Sequence, residues 1–271
     1  INEGEYKVMG LASFGDSNSK SAKLVRGLMD WDSTSNKMIS DMSFFDYHLS
    51  TSNSFSNKLQ DLLGPARNPF DQLIPGDNDF QRCADIARGA QDLTIYLLRK
   101  IFTYAHKITS SRRFLFSGGV SMNSASIDSL AQLPFVDEIV NVGANVGYYC
   151  CHALRKKKHV IAFEPDPLNI RYLLSNLQAN GWSENFELFP FCLGEKREVK
   201  SIFGHGTGAS LLKGWANVPE THSNLTFVNT ADNIFEERGP QRRLFMVDIE
   251  GAEYSFLKGA KSLINSDDKH Y

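Results

Sequence analysis

From residue 138 onward, strand-length apolar runs alternate with helix-period segments. Strands are expected at 138–142, 159–163, 186–191 and 244–247, and helices at 146–154, 168–180 and 252–263. Strands joined through helices must run parallel, because an antiparallel pair needs only a short turn whereas a parallel pair needs a crossover. The alternation therefore predicts an α/β fold, a parallel sheet with helices on both faces. The first half reads differently. A polar, Ser- and Asn-rich stretch extends to about residue 78, with Asp41 to Tyr47 as a short strand or turn. A long amphipathic helix follows, its apolar residues recurring from Cys83 to Ile108 at helical period. A short buried strand, 113–116, then runs into Ser117-Gly118-Gly119-Val120-Ser121-Met122-Asn123 and a second helix.

Composition narrows the function classes. The net charge of -2 with 22% charged residues argues against a nucleic-acid binder, which needs a basic surplus or stripe. A hydrophobic share of 42%, including 19 Phe, is too high for a disordered chain. No apolar run approaches the roughly 18–20 residues of a membrane span, so no membrane partner is expected. The four cysteines, Cys83, Cys150, Cys151 and Cys192, form no C-x-x-C pair and read as reduced, mostly buried thiols of a cytoplasmic protein. The opening residues are polar and acidic and do not read as a signal peptide. With Ile1 rather than Met at its start, the chain is expected to begin inside a longer reading frame.

Three strand ends carry candidate chemistry. The first is Asn141-Val142-Gly143-Ala144-Asn145-Val146-Gly147, a glycine turn between a strand and a helix. Gly143 allows a tight turn, Gly147 allows close approach, and the backbone N–H groups at the helix start can hold an anion. The second is Glu164-Pro165-Asp166 at the tip of the next strand. An acidic residue about 20 positions after the glycine turn is where nucleotide-binding sheets accept ribose hydroxyls. The spacing alone leaves a nicotinamide cofactor and S-adenosylmethionine both open, though the absence of G-x-G-x-x-G weighs against the former. The third is Asp248-Ile249-Glu250-Gly251-Ala252-Glu253, where acidic side chains can deprotonate a hydroxyl, hold a divalent metal, or simply cap a helix.

Residues 139–263 resemble the FkbM-type S-adenosylmethionine-dependent methyltransferases. The resemblance rests on Val142 to Tyr149, Ala162 to Pro167 with Asn176-Leu177 and Asn180-Gly181, Gly208 to Leu211, Thr230-Ala231-Asp232, Val247 to Glu253, and Leu257 to Ala260. It implies a Rossmann-like methyltransferase sheet, truncated at its C-terminal end, that binds S-adenosylmethionine through Asn141, Gly143, Asn145, Gly147, Glu164 and Asp166. Asp248 and Glu250 would be its catalytic residues, and the methyl group would pass to a hydroxyl oxygen of a sugar or natural product. The family usually has Asp where Asn141 stands, so this position brings no charge toward a cationic cofactor.

Residues 1–139 resemble part of the carbamoyltransferases of the nodulation and antibiotic-tailoring type. The matching segments are Glu3 to Ala12, Phe44 to Tyr47, Gly64 to Arg67, Asp85-Ile86-Ala87 and Ser117 to Asn123. This resemblance implies a partial actin/hexokinase-like ATPase fold, with ATP as a second cofactor at a vestigial site of Gly118, Gly119 and Asn123. The family's metal-binding histidines have no counterpart, because no H-x-x-x-H pair exists here. No metal site and no carbamoyl transfer by this chain alone are therefore expected. The expected organisation is a partial carbamoyltransferase-like domain at 1–136 and a methyltransferase domain at 137–271, acting on a small-molecule or glycan hydroxyl. The alternatives are a slice of a bifunctional carbamoyl- and methyl-transferring protein, or a nucleotide-binding fragment without activity.

Overall fold

The structure, a computed structural model, describes residues 5–68, 70, 72–215 and 223–265. Glu3 and Gly4 of the opening motif lie outside these. The chain forms two compact units, 1–104 and 105–271.

The first unit contains helices α1 (Glu5–Ala12) and α2 (Lys20–Arg26), a hairpin of β1 (Met29–Asp32) and β2 (Lys37–Ser40), and helix α3 (Asn57–Leu63). Most of the 32-residue α4 (Asn78–Thr109) also belongs to it. Gly89 of α4 is where α2 crosses: a Cβ there would meet the Ala22 carbonyl oxygen at 2.7 Å. The aromatic stretch 41–47 forms a 3₁₀ turn, Met42–Phe44, and Phe45 bridges to Phe55. Among the described residues of this unit the hairpin is the only sheet.

The second unit is α/β. Its strands are β3 (Arg113–Ser117), β4 (Glu138–Val142), β5 (His159–Phe163), β6 (Phe186–Phe189), β7 (Cys192–Leu193), β8 (Glu198–Phe203), β9 (Ser223–Asn229) and β10 (Arg243–Val247). Its helices are α5 (Ser124–Leu130), α6 (Tyr148–Arg155), α7 (Pro167–Asn180), α8 (Ala231–Phe235), α9 (Glu253–Lys258) and α10 (Lys261–Asn265). Five strands form a wholly parallel sheet in the order β3-β10-β4-β5-β6. A three-stranded sheet, β7-β9-β8, stands apart from it. Every residue of β4 and β10 is buried, as expected of central parallel strands covered on both faces. One face of the sheet packs Val140, Val142, Ile161, Phe163, Phe245 and Val247 against Phe235 and Phe256.

Two expectations change here. Residues 113–117 were expected with the N-terminal domain, but β3 pairs in register with β10, from Arg113 opposite Arg243 to Ser117 opposite Val247. The sheet therefore continues past β10 with a strand that precedes the glycine turn. The single helix expected at 252–263 is broken into α9 and α10. Gly259 passes so close to Gly194 that a Cβ would sit 1.9 Å from its carbonyl oxygen. Among the described residues no helix is long and apolar enough to cross a membrane.

Candidate functional site

The C-terminal ends of β4, β5 and β10 open onto a cavity of about 280 Å³. Open α/β sheets bind ligands at this end of their strands. The wall is built by Val142 to Val146, Tyr148 and Tyr149, by Phe163 to Pro165, by Phe191 to Leu193 with Ile202, and by Asp248 to Glu250 with Ala252. Gly206, Ala209 and Leu211 complete it from the segment after β8.

The N–H donors of the glycine turn itself, residues 143–147, are engaged within the fold. The Gly143 and Ala144 N–H groups both donate to the Phe163 carbonyl, at 2.9 and 3.0 Å. Asn145 N–H donates to Glu164 Oε2 at 2.7 Å, Val146 N–H to Asn145 Oδ1 at 2.7 Å, and Gly147 N–H to the Ala144 carbonyl at 2.9 Å. Gly143, at φ +85°, is required by a neighbouring strand end: a Cβ would lie 2.0 Å from the Asp248 carbonyl oxygen. Gly147, at φ +82°, precedes α6 and lets α7 approach, since a Cβ would meet Leu173 Cγ at 2.8 Å.

Glu164 is buried and lines the cavity. Its Oε1 accepts the Asp166 N–H at 2.9 Å and the Asn169 amide at 3.2 Å, while its Oε2 accepts only the Asn145 N–H. Oε2 thus keeps one lone pair for a further donor. Burial pushes the Glu164 carboxyl above its usual range, against the pull of these three donors. Asp248 also lines the cavity. Burial, then the charges of Glu250 and Glu253, raises its carboxyl from 3.8 to about 6. No hydrogen bond reaches that carboxyl among the described residues, which leaves it able to take a proton from a ligand. Tyr149 is pushed up to about 12 by burial and by Asp248, so it stays a neutral wall at any ordinary pH.

The other expected site residues hold structural contacts. Asn141 points to the opposite face of the sheet from Val142, as period-two alternation requires, and its amide contacts Cys150 Sγ at 3.4 Å. It does not line the cavity. Neither does Asp166, which caps α7 by accepting the Leu168 N–H at 2.8 Å and also accepts the Gly206 N–H at 3.2 Å. Glu250 lines the cavity, but its Oε2 accepts the Trp215 indole N–H at 2.8 Å. Glu253 folds back on its own loop, accepting N–H groups of Ile249 and Gly251. Gly118 and Gly119 lie on an exposed turn outside this cavity, and Asn123 caps α5 by accepting the Ser126 N–H at 3.1 Å. Among the described residues no group of three or more His, Cys, Asp or Glu is arranged to hold a metal ion. Tyr148, Tyr149, Phe191, Ile202 and Leu211 also line the cavity, and the sequence motifs alone give none of them a role. The adjacent tyrosines directly after Gly147 were the available signal for the first two.

Residues 141–268 match the family model of the Methyltransferase FkbM domain. No curated protein matches the chain. A solved structure, the methyltransferase FkbM from Methylobacillus flagellatus KT, aligns at 19% identity over 61% of this chain and 46% of that one, with a TM-score of 0.34. The chain thus spans less than half the length of that relative. That family model does not extend over residues 1–140.

Proposed function

We propose that the chain is an S-adenosylmethionine-dependent methyltransferase whose acceptor is a hydroxyl oxygen of a sugar, glycan or hydroxylated natural product. The observation that carries this reading is the charge of the cavity wall. Glu164, Asp248 and Glu250 line it, together with four aromatic rings, and among the described residues no Lys or Arg does. A phosphate-bearing cofactor would meet three carboxylates and a glycine turn whose donors are engaged. A cation carrying ribose hydroxyls meets complementary charge, aromatic faces and an acceptor lone pair on Glu164. The family match over 141–268 points to the same class of reaction.

The residues divide the work as follows. Glu164 would accept a ribose hydroxyl on Oε2, while its three backbone and amide donors fix its orientation. Bound S-adenosylmethionine supplies a methyl group on a sulfonium, already activated for transfer. Asp248 would align the acceptor hydroxyl and take its proton. A carboxyl raised to about 6 is ionised at neutral pH yet more basic than an ordinary aspartate, which is what a general base needs. Val142, Phe163, Phe191 and Leu193 supply the apolar part of the wall. All of this chemistry lies in the second unit, and none of it uses ATP or carbamoyl phosphate.

The test is transfer of labelled methyl from S-adenosylmethionine to a panel of mono- and oligosaccharides and hydroxylated natural products. Transfer that is lost in Asp248→Asn supports the reading. Label found only on amine or carboxylate acceptors would overturn the hydroxyl assignment.

A further inference from the structure

The segment 204–215, between β8 and the start of the next described residues, forms one wall of the cavity and is fastened at three places. At its base, Phe203 and Ser210 exchange backbone hydrogen bonds of 2.8 and 3.0 Å. At its first turn, the Gly206 N–H donates to Asp166 Oδ2 at 3.2 Å and its carbonyl accepts from Asn169 at 3.3 Å. At its far end, the buried Ser210 hydroxyl donates to the Glu250 carbonyl at 2.7 Å, and the Trp215 indole donates to Glu250 Oε2 at 2.8 Å. Ser210 Oγ also accepts the Leu212 N–H at 3.0 Å. The Trp215 ring and Leu212 lie directly over Gly251, where a Cβ would meet them at 2.6 and 2.9 Å.

Glu250 thus holds the segment with both its backbone and its side chain. It does so from a left-handed backbone conformation, φ +51°, which a non-glycine residue occupies at a cost. A general base needs a free lone pair aimed at its substrate, whereas a clamp needs a fixed acceptor. The geometry of Glu250 is that of the clamp.

We infer that Glu250 is a positioning residue, which through Trp215 and Ser210 holds the 204–215 segment as the wall of the ligand cavity. Asp166 holds the same segment at its other end. Gly206, Ala209 and Leu211, the lining residues the segment carries, are set in place by these two carboxylates. The ligand-binding consequence rests on the function proposed above; the clamp itself rests on the contacts alone.

The test compares Glu250→Gln, Glu250→Ala and Trp215→Phe in the full chain. Gln keeps an oxygen that can accept from the indole, whereas Ala and Phe each remove one partner. Hydrogen–deuterium exchange of 204–215 is expected to quicken about 10-fold or more in Glu250→Ala and Trp215→Phe and to stay near wild type in Glu250→Gln. Titration with S-adenosylhomocysteine is expected to follow the same order, with Glu250→Gln binding several-fold more tightly than Glu250→Ala. Wild-type exchange in Glu250→Ala, or Gln and Ala variants equally impaired in exchange and titration, would overturn the inference. If wild type itself fails to bind S-adenosylhomocysteine, the proposed function fails, while the exchange comparison still decides the clamp.

Discussion

Replacing Asp248 by Asn should make the protein more stable and nearly inactive at once. Folding raises this carboxyl from 3.8 to about 6, so the ionised form is better accommodated in the unfolded chain. At about 1.36 kcal/mol per pH unit, the difference corresponds to roughly 3 kcal/mol. Asp248 is only half-buried, and solvent screening reduces the figure to about 1–2 kcal/mol. The sign follows from linkage: the stability is intact below about pH 4 and is lost as pH rises through about 6. Asn keeps the shape without the charge and also relieves the repulsion from Glu250 and Glu253. Thermal unfolding followed by circular dichroism at pH 7.5 should show a rise of roughly 2–8 °C in Tm. At pH 4.5 the advantage should shrink to about a third. Turnover should fall about 10²–10⁴-fold, the scale of a lost general base. A variant no more stable than wild type at pH 7.5, or an advantage of equal size at pH 4.5, would refute the argument that burial of this charge is what raises its pKa.

Gly143→Ala forces a Cβ to within 2.0 Å of the Asp248 carbonyl at a left-handed backbone, so urea unfolding should show a loss of about 3 kcal/mol or more. Arg243, buried and paired with Glu138 where β10 and β4 begin, leaves that carboxylate with only His159 among the described residues when changed to Met; the expected loss is about 3–5 kcal/mol in the same assay. Asn123→Ala removes the cap of α5 and should cost about 1 kcal/mol, while millimolar ATP should leave the Tm of wild type unchanged.

What could be read from the residues follows their burial. β4 and β5 are nearly continuous apolar runs covered on both faces, and their limits at 138–142 and 159–163 were legible to the residue. β3 was legible as a strand but not as a neighbour of β10, because parallel partners are chosen by contacts between residues about 130 positions apart. β8 and β9 were missed because their faces are largely exposed, and a weakly buried strand leaves little pattern. The break between α9 and α10 depends on Gly194, far from Gly259 in sequence. At the site, Glu164 and Asp248 were identified by their positions at strand ends, and both reach the cavity. Asn141 faces away from the cavity and its motif neighbour Val142 lines it, an alternation that the motif alone does not orient. Asp166 and Glu250 looked like chemistry because acidic residues at strand tips often are; their partners, Gly206 and Trp215, lie about 40 and 35 positions away.

The acidic cavity is expected to take a sulfonium nucleoside and to hold its ribose on Glu164. Isothermal titration of the wild-type chain with S-adenosylmethionine, repeated on Glu164→Ala, measures this directly. Loss of one charge-assisted hydrogen bond, worth roughly 1.5–3 kcal/mol, should weaken binding about 10- to 100-fold, with ATP and NAD giving no heat in either protein. An absence of binding to wild type, or equal affinities in the two proteins, would contradict it.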